Sequence, residues 1–456
     1  MVKKKDILLL KHLIVEERAD EVRNIFAKLH PADIAEILLE VKDINKNLFW
    51  NLMDYKKAVQ VFEEFEPSDR AVLLQEMTEN EALRILEDMS TDELIEMLRE
   101  LPNKEVDKLI SKLPKSYYEE LKSLLRLADD TAGGLMTTDY VYLFPDATIN
   151  EAIEDVRKFG QEAETIYYLY VVDNSKKLIG VLSLRELLSA PRHCTVGEIM
   201  HKNVISVDVS CDQEEAAKVI YKYSLLAVPV VDKNHRMLGI ITVDDALEII
   251  EEEDTEDIHR LAGITPEQEV ILTSSIWGAS KQRILWLVIC LAGDFVSGLV
   301  IDGYSAILQS VVAIAFFIPV LMATGGNVGT QSLALSVRGI ATGELDRQNI
   351  LKFLIEETVA GLIVGAICGL ILTGVAYFWQ TDLRLGLAVG LSMTVALTVS
   401  AFIGVLIPII FSLLKIDPAV ASGPFITTIV DTLSLLIYFT FSVYLMGFFH
   451  IQALIN

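Results

Sequence analysis

The sequence predicts a multidomain membrane protein: an all-α, superhelical N-terminal domain, a tandem α/β unit, and an α-helical transmembrane domain with five spans. Three observations carry that reading: a register near twelve residues in the front quarter, an internal duplication between residues 129 and 250, and five long apolar segments after Ile284. With 456 residues, 52% hydrophobic content and a mean hydropathy of +0.40, the chain is long enough for several domains and too apolar to be simply soluble.

Charge divides the chain unevenly. Of 64 acids and 39 Lys plus Arg, only 9 and 7 fall from residue 281 onward, which leaves the first 280 residues at net −23 and the remainder at −2. Phosphate backbones need basic contacts, so no nucleic-acid partner is expected. An acidic front half suits cations, although most of these acids serve only as solvated surface. The four cysteines, Cys194, Cys211, Cys290 and Cys368, have no CxxC spacing and read as free thiols or small buried hydrophobes. The opening MVKKKDILLLKHL has too short an apolar run for a signal peptide, so the front half is expected in the cytoplasm.

Residues 1–128 form the acidic helical domain. From Glu66 the units EPSDRAVLLQEM, TENEALRILEDM, STDELIEMLREL, PNKEVDKLISKL and PKSYYEELKSLL align, with Leu73, Ile85, Met97, Leu109 and Leu121 in one column. Each unit fits one short helix started by Pro, Ser, Thr, Asp or Asn, and stacked units sharing a core make a small solenoid. Its polar face carries Asp88, Asp92 and Glu96.

Residues 129–190 and 191–250 are two copies of one unit. Gly133-Gly134-Leu135-Met136 returns as Gly197-Glu198-Ile199-Met200, and YVVDNSKKLIGVLSLRELL returns as PVVDKNHRMLGIITVDDAL, with Gly180 and Gly239 in matching places. Each copy reads as a helix, a strand pair with a turn, and a helix starting after Ser183 or Thr242. The pair resembles tandem cystathionine-β-synthase (CBS) domains. That resemblance implies adenine-nucleotide binding, ATP or a relative, at Gly239, Thr242 and Asp245 of the second copy. The first copy departs from the pattern, with Glu186 in the acid position.

Residues 251–281 are expected to be a connecting helix. Glu251 to Asp254 are four acids in a row, followed by Glu256 and Asp257, and such a helix is stable mainly when a cation screens it.

The membrane domain, 282–456, is read with spans at about 284–301, 306–326, 353–379, 385–414 and 424–449. Basic residues fall at Lys281, Arg283, Arg338, Arg347, Lys352 and Lys415 on one side and at Arg384 on the other. The positive-inside rule then puts the N-terminus in and the C-terminus outside a cell membrane. Two interruptions are expected at membrane depth: PVLMATGGNVGTQ, 319–331, where freed carbonyls would be hard oxygen ligands, and ASGP, 421–424.

Within the last span lies Asp431. An ionisable group inside a membrane helix is costly and is by default a functional-site hypothesis. Thr427, Thr428, Ser434 and Tyr438 share its helical face, which should look into a protein interior or a pore. No Lys or Arg lies inside a neighbouring span to neutralise it, so it is protonated, hydrogen-bonded to its neighbours, or facing a mobile cation. Asp294, midway along the first span, has no role that the sequence assigns. The oxygen donors favour a hard cation, and no His or Cys cluster in the spans suggests zinc or copper.

PVLMATGGNVGTQ and DPAVASGPFITTIVDTLSLLIYF, in this order after an acidic helical domain and a CBS pair, resemble the MgtE family of magnesium channels over the whole chain. The resemblance implies a homodimer in the lipid bilayer, with a Mg²⁺ pore between the membrane domains. It places Asp431 as the pore acid, with Asn327, Thr427, Gly325 and Gly326 as companions. It also implies cytoplasmic Mg²⁺ sensing at Asp88, Asp92, Asp212, Glu214, Glu215, Asp245, Glu248, Glu253, Glu256 and Asp257. Ser224 stands where one further sensor acid is expected. No enzymatic activity is implied and no G-x-x-x-x-G-K-[ST] is present. Alternatives of other classes are an ion-coupled divalent-cation carrier, a membrane-anchored nucleotide-sensing CBS regulator, and a CBS-containing anion channel, the last disfavoured by the lack of basic residues in the spans.

Overall fold

Repeats that share a core must present one apolar column each, and the computed structural model shows how they do so. It describes residues 18–40, 52–161, 163–264, 276–345 and 348–455, and divides into two compact units, Met1–Glu251 and Glu252–Asn456.

In the first unit, α1 (Ala19–Phe26) and α2 (Pro31–Glu40) precede six helices: α3 (Tyr55–Glu63), α4 (Pro67–Glu76), α5 (Glu79–Asp88), α6 (Thr91–Arg99), α7 (Asn103–Ile110) and α8 (Lys115–Leu124). Their starts fall twelve residues apart from Tyr55 to Lys115, one unit earlier than the register read from Glu66. Leu73, Ile85, Met97 and Leu121 are buried, and Leu109 packs against the same core. Arg70 is buried too. Its Nε donates to the Phe65 carbonyl at 2.5 Å, and its guanidinium pairs with Glu93 and Glu96.

The duplication folds as two three-stranded sheets. The first copy runs α9 (Ala132–Leu135), β1 (Tyr140–Leu143), α10 (Ile149–Phe159), β2 (Thr165–Val172), β3 (Leu178–Ser183) and α11 (Leu184–Ser189). The second runs α12 (Val196–Ile199), β4 (Val207–Asp208), α13 (Gln213–Tyr223), β5 (Ala227–Val231), β6 (Met237–Thr242) and α14 (Val243–Leu261). In each sheet the middle strand pairs parallel to the first and antiparallel to the third. The two sequence anchors prove to be one reciprocal contact. A Cβ on Gly180 would lie 2.4 Å from Met200 Sδ, and one on Gly239 would lie 2.5 Å from the Thr137 carbonyl and 2.9 Å from Met136 Cγ. Each copy thus leaves out a side chain where the other's Met enters. Short strand bridges, Thr137 with Ile240 and Val181 with His201, stitch the same places.

Among the described residues the second unit holds five helices long and apolar enough to cross a membrane: Arg283–Gly303, Val312–Ala341, Ile350–Gln380, Leu383–Leu413 and Gly423–Leu445. They lie in α15 (Ile276–Gly303), a 3-10 turn (Val312–Phe317) with α17 (Ile318–Ala341), α18 (Ile350–Gln380), α19 (Leu383–Leu413) and α20 (Gly423–Ile455); α16 (Ser305–Ser310) is a short separate helix. They are called spans 1 to 5.

Three expectations change. The interruption at 319–331 is not there: α17 continues through Thr324, Gly325, Gly326, Asn327 and Gly329, so these backbone carbonyls stay inside a helix. The glycines serve close packing instead, and none of them has a positive φ that would break the helix. The second span is correspondingly shifted from 306–326 to 312–341. The acidic segment is no separate helix; it continues the last helix of the second copy and ends at Leu261, with Gly263 turned to φ +71°. Residues 265–275 of the expected connecting helix lie outside the described residues.

Candidate functional site

Span 5 starts after a 3-10 turn, Pro418–Val420, that Asp417 caps by accepting from the Ala419 amide at 2.8 Å. Pro424, which has no amide hydrogen to lose, stands in the first turn. Thr427 and Thr428 both donate to its carbonyl, at 2.9 and 2.8 Å. A little over two turns in, Asp431 presents Oδ1 to the protein interior, where it is buried and meets no hydrogen-bond partner. No basic group pairs with Asp431 among the described residues.

Span 2 comes against that face through its glycines. A Cβ on Gly326 would stand 3.2 Å from Thr427 Cγ2 and 3.7 Å from Asp431 Oδ1, and one on Gly325 would stand 2.9 Å from Ser434 Oγ. Asn327 is exposed on the next position of the same helix. Of the stripe read from sequence, Ser434 and Tyr438 are interior groups: Tyr438 donates to the Ile314 carbonyl at 2.8 Å. Span 1 lies along the adjacent flank. A Cβ on Gly293 would meet Thr428 Cγ2 at 2.0 Å, and Ser297 Oγ shares a 2.8 Å hydrogen bond with Thr432 Oγ1. A carboxyl that the sequence reading did not single out, Glu357 on span 3, accepts from Ser332 of span 2 at 3.1 Å.

The acidic part of α14 that belongs to this unit is held by ion pairs. Asp254 pairs with Arg338 at 3.5 Å, Glu256 pairs with Arg260, and Arg260 reaches Asp417. Leu261 packs into a cluster with Ala421, Ile426 and Val430, and its carbonyl would lie 3.1 Å from a Cβ on Gly423. The end of the acidic helix therefore abuts the first turn of span 5. Glu253 and Asp257 lie on the same stretch.

In the first unit, acids from the helical stack and from both copies act on one another. The start of α6 draws them in: Glu63 accepts from the Ser90 amide at 2.9 Å, and Asp139 accepts from the Thr91 amide and hydroxyl at 3.1 and 2.9 Å. Asp92, in that first turn, is held well above the usual carboxylate range by burial and then by Asp245, Glu164 and Glu93. Burial pushes Glu93 up to about 8 against the opposing pull of Arg70. Partial burial followed by Asp245, Asp244, Glu63 and Asp139 pushes Glu164 up to about 7. Asp245 and Glu248 are raised as well, chiefly by burial. Such a set favours any bound positive charge.

Not every expected sensor residue joins this set. Asp88 is exposed at the end of α5. Asp212, Glu214 and Glu215 stand at the start of α13, where Asp212 caps the helix, Glu214 pairs with Lys218 at 2.7 Å and Glu215 lies beside Cys211. Glu63, Asp139 and Glu164 do join it and were missed, because no local spacing links positions so far apart. Among the described residues no three His, Cys, Asp or Glu side chains converge closely enough to hold one metal ion. Asp245, read as a nucleotide-binding residue, accepts from the Thr242 amide and hydroxyl at 3.0 and 2.6 Å and so caps α14. Glu186 caps α11 in the same way from Ser183, and its pairing with His201 brings it down to about 2.

Comparison with known proteins follows this division. A family model described as "Divalent cation transporter" matches residues 318–441, one described as "MgtE intracellular N domain" matches 29–130, and the CBS domain matches 132–193 and 196–252. The magnesium transporter MgtE of Bacillus subtilis is 33% identical over 95% of this chain and 96% of its own length. The chain belongs to the MgtE family of magnesium transporters. The MgtE of Thermus thermophilus is 34% identical, covering 94% of this chain and 96% of that one. Among solved structures, the cytosolic domain of the Mg²⁺ channel MgtE in complex with ATP is 34% identical with a TM-score of 0.51, covering 53% of this chain and 99% of that one. Likeness to enzymes is confined to the CBS region: inosine-5'-monophosphate dehydrogenase of Methanocaldococcus jannaschii is 32% identical over 25% of this chain.

Proposed function

We propose that this MgtE family member is a Mg²⁺-selective channel for uptake, working as a homodimer in the cell membrane and closed by cytoplasmic Mg²⁺. The observation that carries the pore half is the buried, unpartnered Oδ1 of Asp431, aligned with Thr427 and Gly326 in a span with no cation to balance it. Mg²⁺ sheds water reluctantly and is usually held by one or two carboxylates with several waters kept. Two symmetry-related Asp431 carboxylates would recognise it through that shell, with Asn327, Thr427 and the close approach allowed by Gly325 and Gly326 shaping the passage. A divalent ion crossing 100 mV gains about 4.6 kcal/mol, so entry needs no ATP hydrolysis.

Closure uses the acids of α14 and of the first unit. Asp88, Asp92, Asp212, Glu214, Glu215, Asp245, Glu248, Glu253, Glu256 and Asp257 are its candidate Mg²⁺ ligands, acting through water or on a rearranged state. The docking of Leu261 at the start of span 5 supports a plug on the cytoplasmic side. ATP or another adenine nucleotide is proposed at Gly239, Thr242 and Asp245, and the ATP complex of the related cytosolic domain supports that reading. The C-terminus is proposed to face outward. A coupled carrier is the rival; the unbroken α17 removes one of the two helix breaks that argue for it.

Patch-clamp recording tests both halves. Wild-type currents should fall as Mg²⁺ on the cytoplasmic face rises, and Asp431→Ala should lose Mg²⁺ selectivity. Uptake without resolvable unitary currents would favour the carrier.

A further inference from the structure

Asp294 is a further carboxylate within an apolar span, and the structure gives it a place. It sits on span 1 between Gly293, which lets that helix close onto Thr428, and Ser297, which is buried and hydrogen-bonded to Thr432. Thr428 and Thr432 bracket Asp431 on span 5. Spans 1 and 5 therefore run side by side in a fixed register, and Asp294 falls at the level of Asp431.

Its surroundings make a merely structural role costly. Asp294 is exposed in the single chain while its neighbours Leu291, Phe295 and Val296 are exposed apolar side chains suited to lipid. A charge turned to hydrocarbon is expensive, and such groups almost always face the bundle interior or a watery path. No hydrogen bond or ion pair holds Asp294 among the described residues, so neither caps nor bases account for it. The Gly293–Thr428 approach and the Ser297–Thr432 bond instead hold it to the flank of span 5 that carries Asp431.

We propose that Asp294 is a further specificity-determining residue of magnesium transport, a second carboxylate that faces the hydrated divalent ion at the level of Asp431. This rests on the reading of Asp431 as the pore acid. Each protomer would then offer the passing ion two negative charges in place of one. Charge density favours a divalent ion over a monovalent one, because attraction scales with the product of the charges while the hydrated ions are screened alike. Asp294 would chiefly set apparent affinity and discrimination, leaving the maximal rate to Asp431 and the passage itself.

The test uses the full-length chain in proteoliposomes, with Mg²⁺ influx followed by an entrapped indicator dye and Na⁺ added as competitor. Asp294→Asn should raise half-saturating Mg²⁺ about five- to tenfold and increase inhibition by Na⁺. The maximal rate should hold within twofold, and Asp294→Glu should restore affinity. Asp294→Ser gives the same reading should the amide variant fail to elute like wild type. If neutral variants keep wild-type half-saturation and Na⁺ sensitivity while Asp431→Asn loses both, Asp294 lies outside the path and the Asp431 reading stands. If Asp431→Asn also leaves both unchanged, the two fall together. A loss of maximal rate in Asp294→Asn that Asp294→Glu does not rescue would mean a packing role and would overturn the proposal.

Discussion

Arg260, one residue from the end of α14, pairs with Asp417, the carboxylate that caps the turn leading into span 5. Arg260 also holds Glu256 on its own helix, so one guanidinium joins the acidic stretch to the loop before span 5. This contact needs no metal. It ties the end of α14 to the start of span 5, and under the proposed gating bound Mg²⁺ would add to that tie.

Breaking that pair should weaken closure. Both side chains are about one-third exposed, so the pair is worth at most about 1 kcal/mol. Arg260→Ala or Asp417→Ala should therefore raise the cytoplasmic Mg²⁺ needed for half-inhibition of currents by about two- to fivefold. The exchange Arg260→Asp with Asp417→Arg should bring it back. Unchanged inhibition in all three would show that the pair does not report on the gate.

The acid cluster predicts a pH dependence. Glu93 and Glu164 titrate at about 8 and about 7 in the folded chain, against about 4.3 for an unfolded Glu. The folded chain thus binds more protons, and stability falls as pH rises from about 4.3 towards 8. Glu186 runs the other way, but its stabilisation is lost only as pH falls from the ordinary Glu range to about 2, outside this window. The Tm of the purified chain without Mg²⁺ should be lower at pH 8 than at pH 6. Added Mg²⁺ should raise it more at pH 8, and Glu93→Gln should flatten the slope.

Arg70 is the cation that the helical stack cannot spare. Removing it leaves Glu93 and Glu96 facing one another without their base and orphans the Phe65 carbonyl. Arg70→Met should cost about 3 kcal/mol, towards the low end for a broken buried pair because the Glu93 and Glu96 side chains each keep about a third of their surface exposed. Denaturant unfolding followed by helical circular dichroism would measure it.

Span packing gives a paired test. A Cβ on Gly404 would lie 2.4 Å from the Gly329 carbonyl and 3.1 Å from Ser332 Cβ, where backbone must move, whereas one on Gly374 meets nothing within 4 Å. Gly404→Ala should destabilise by about 1–3 kcal/mol. Gly374→Ala should be neutral or mildly stabilising, since Ala is the better helix former. Thermal unfolding in detergent separates them.

The sequence by itself determined the helical repeat, the duplication, the five apolar helices and the isolated acid in the last one. These are local or periodic signals: twelve-residue spacing, repeated Gly-x-h-Met corners, and runs of apolar residues long enough for a bilayer. Only the tertiary structure decided what the glycines do. TGGNVGT reads as a break because Gly is the poorest ordinary helix former. In the fold, bare Cα positions let span 2 approach Thr427, Ser434 and Ser400, so packing overrides propensity and the helix runs on. Likewise Glu63, Asp92, Asp139, Glu164 and Asp245 become one electrostatic group only when the stack meets both copies, and no spacing along the chain joins them. Asp294 was visible as a residue but not as a neighbour. The register that sets it level with Asp431 is made by Gly293 closing on Thr428 and Ser297 bonding Thr432, contacts between helices more than a hundred residues apart that periodicity cannot encode.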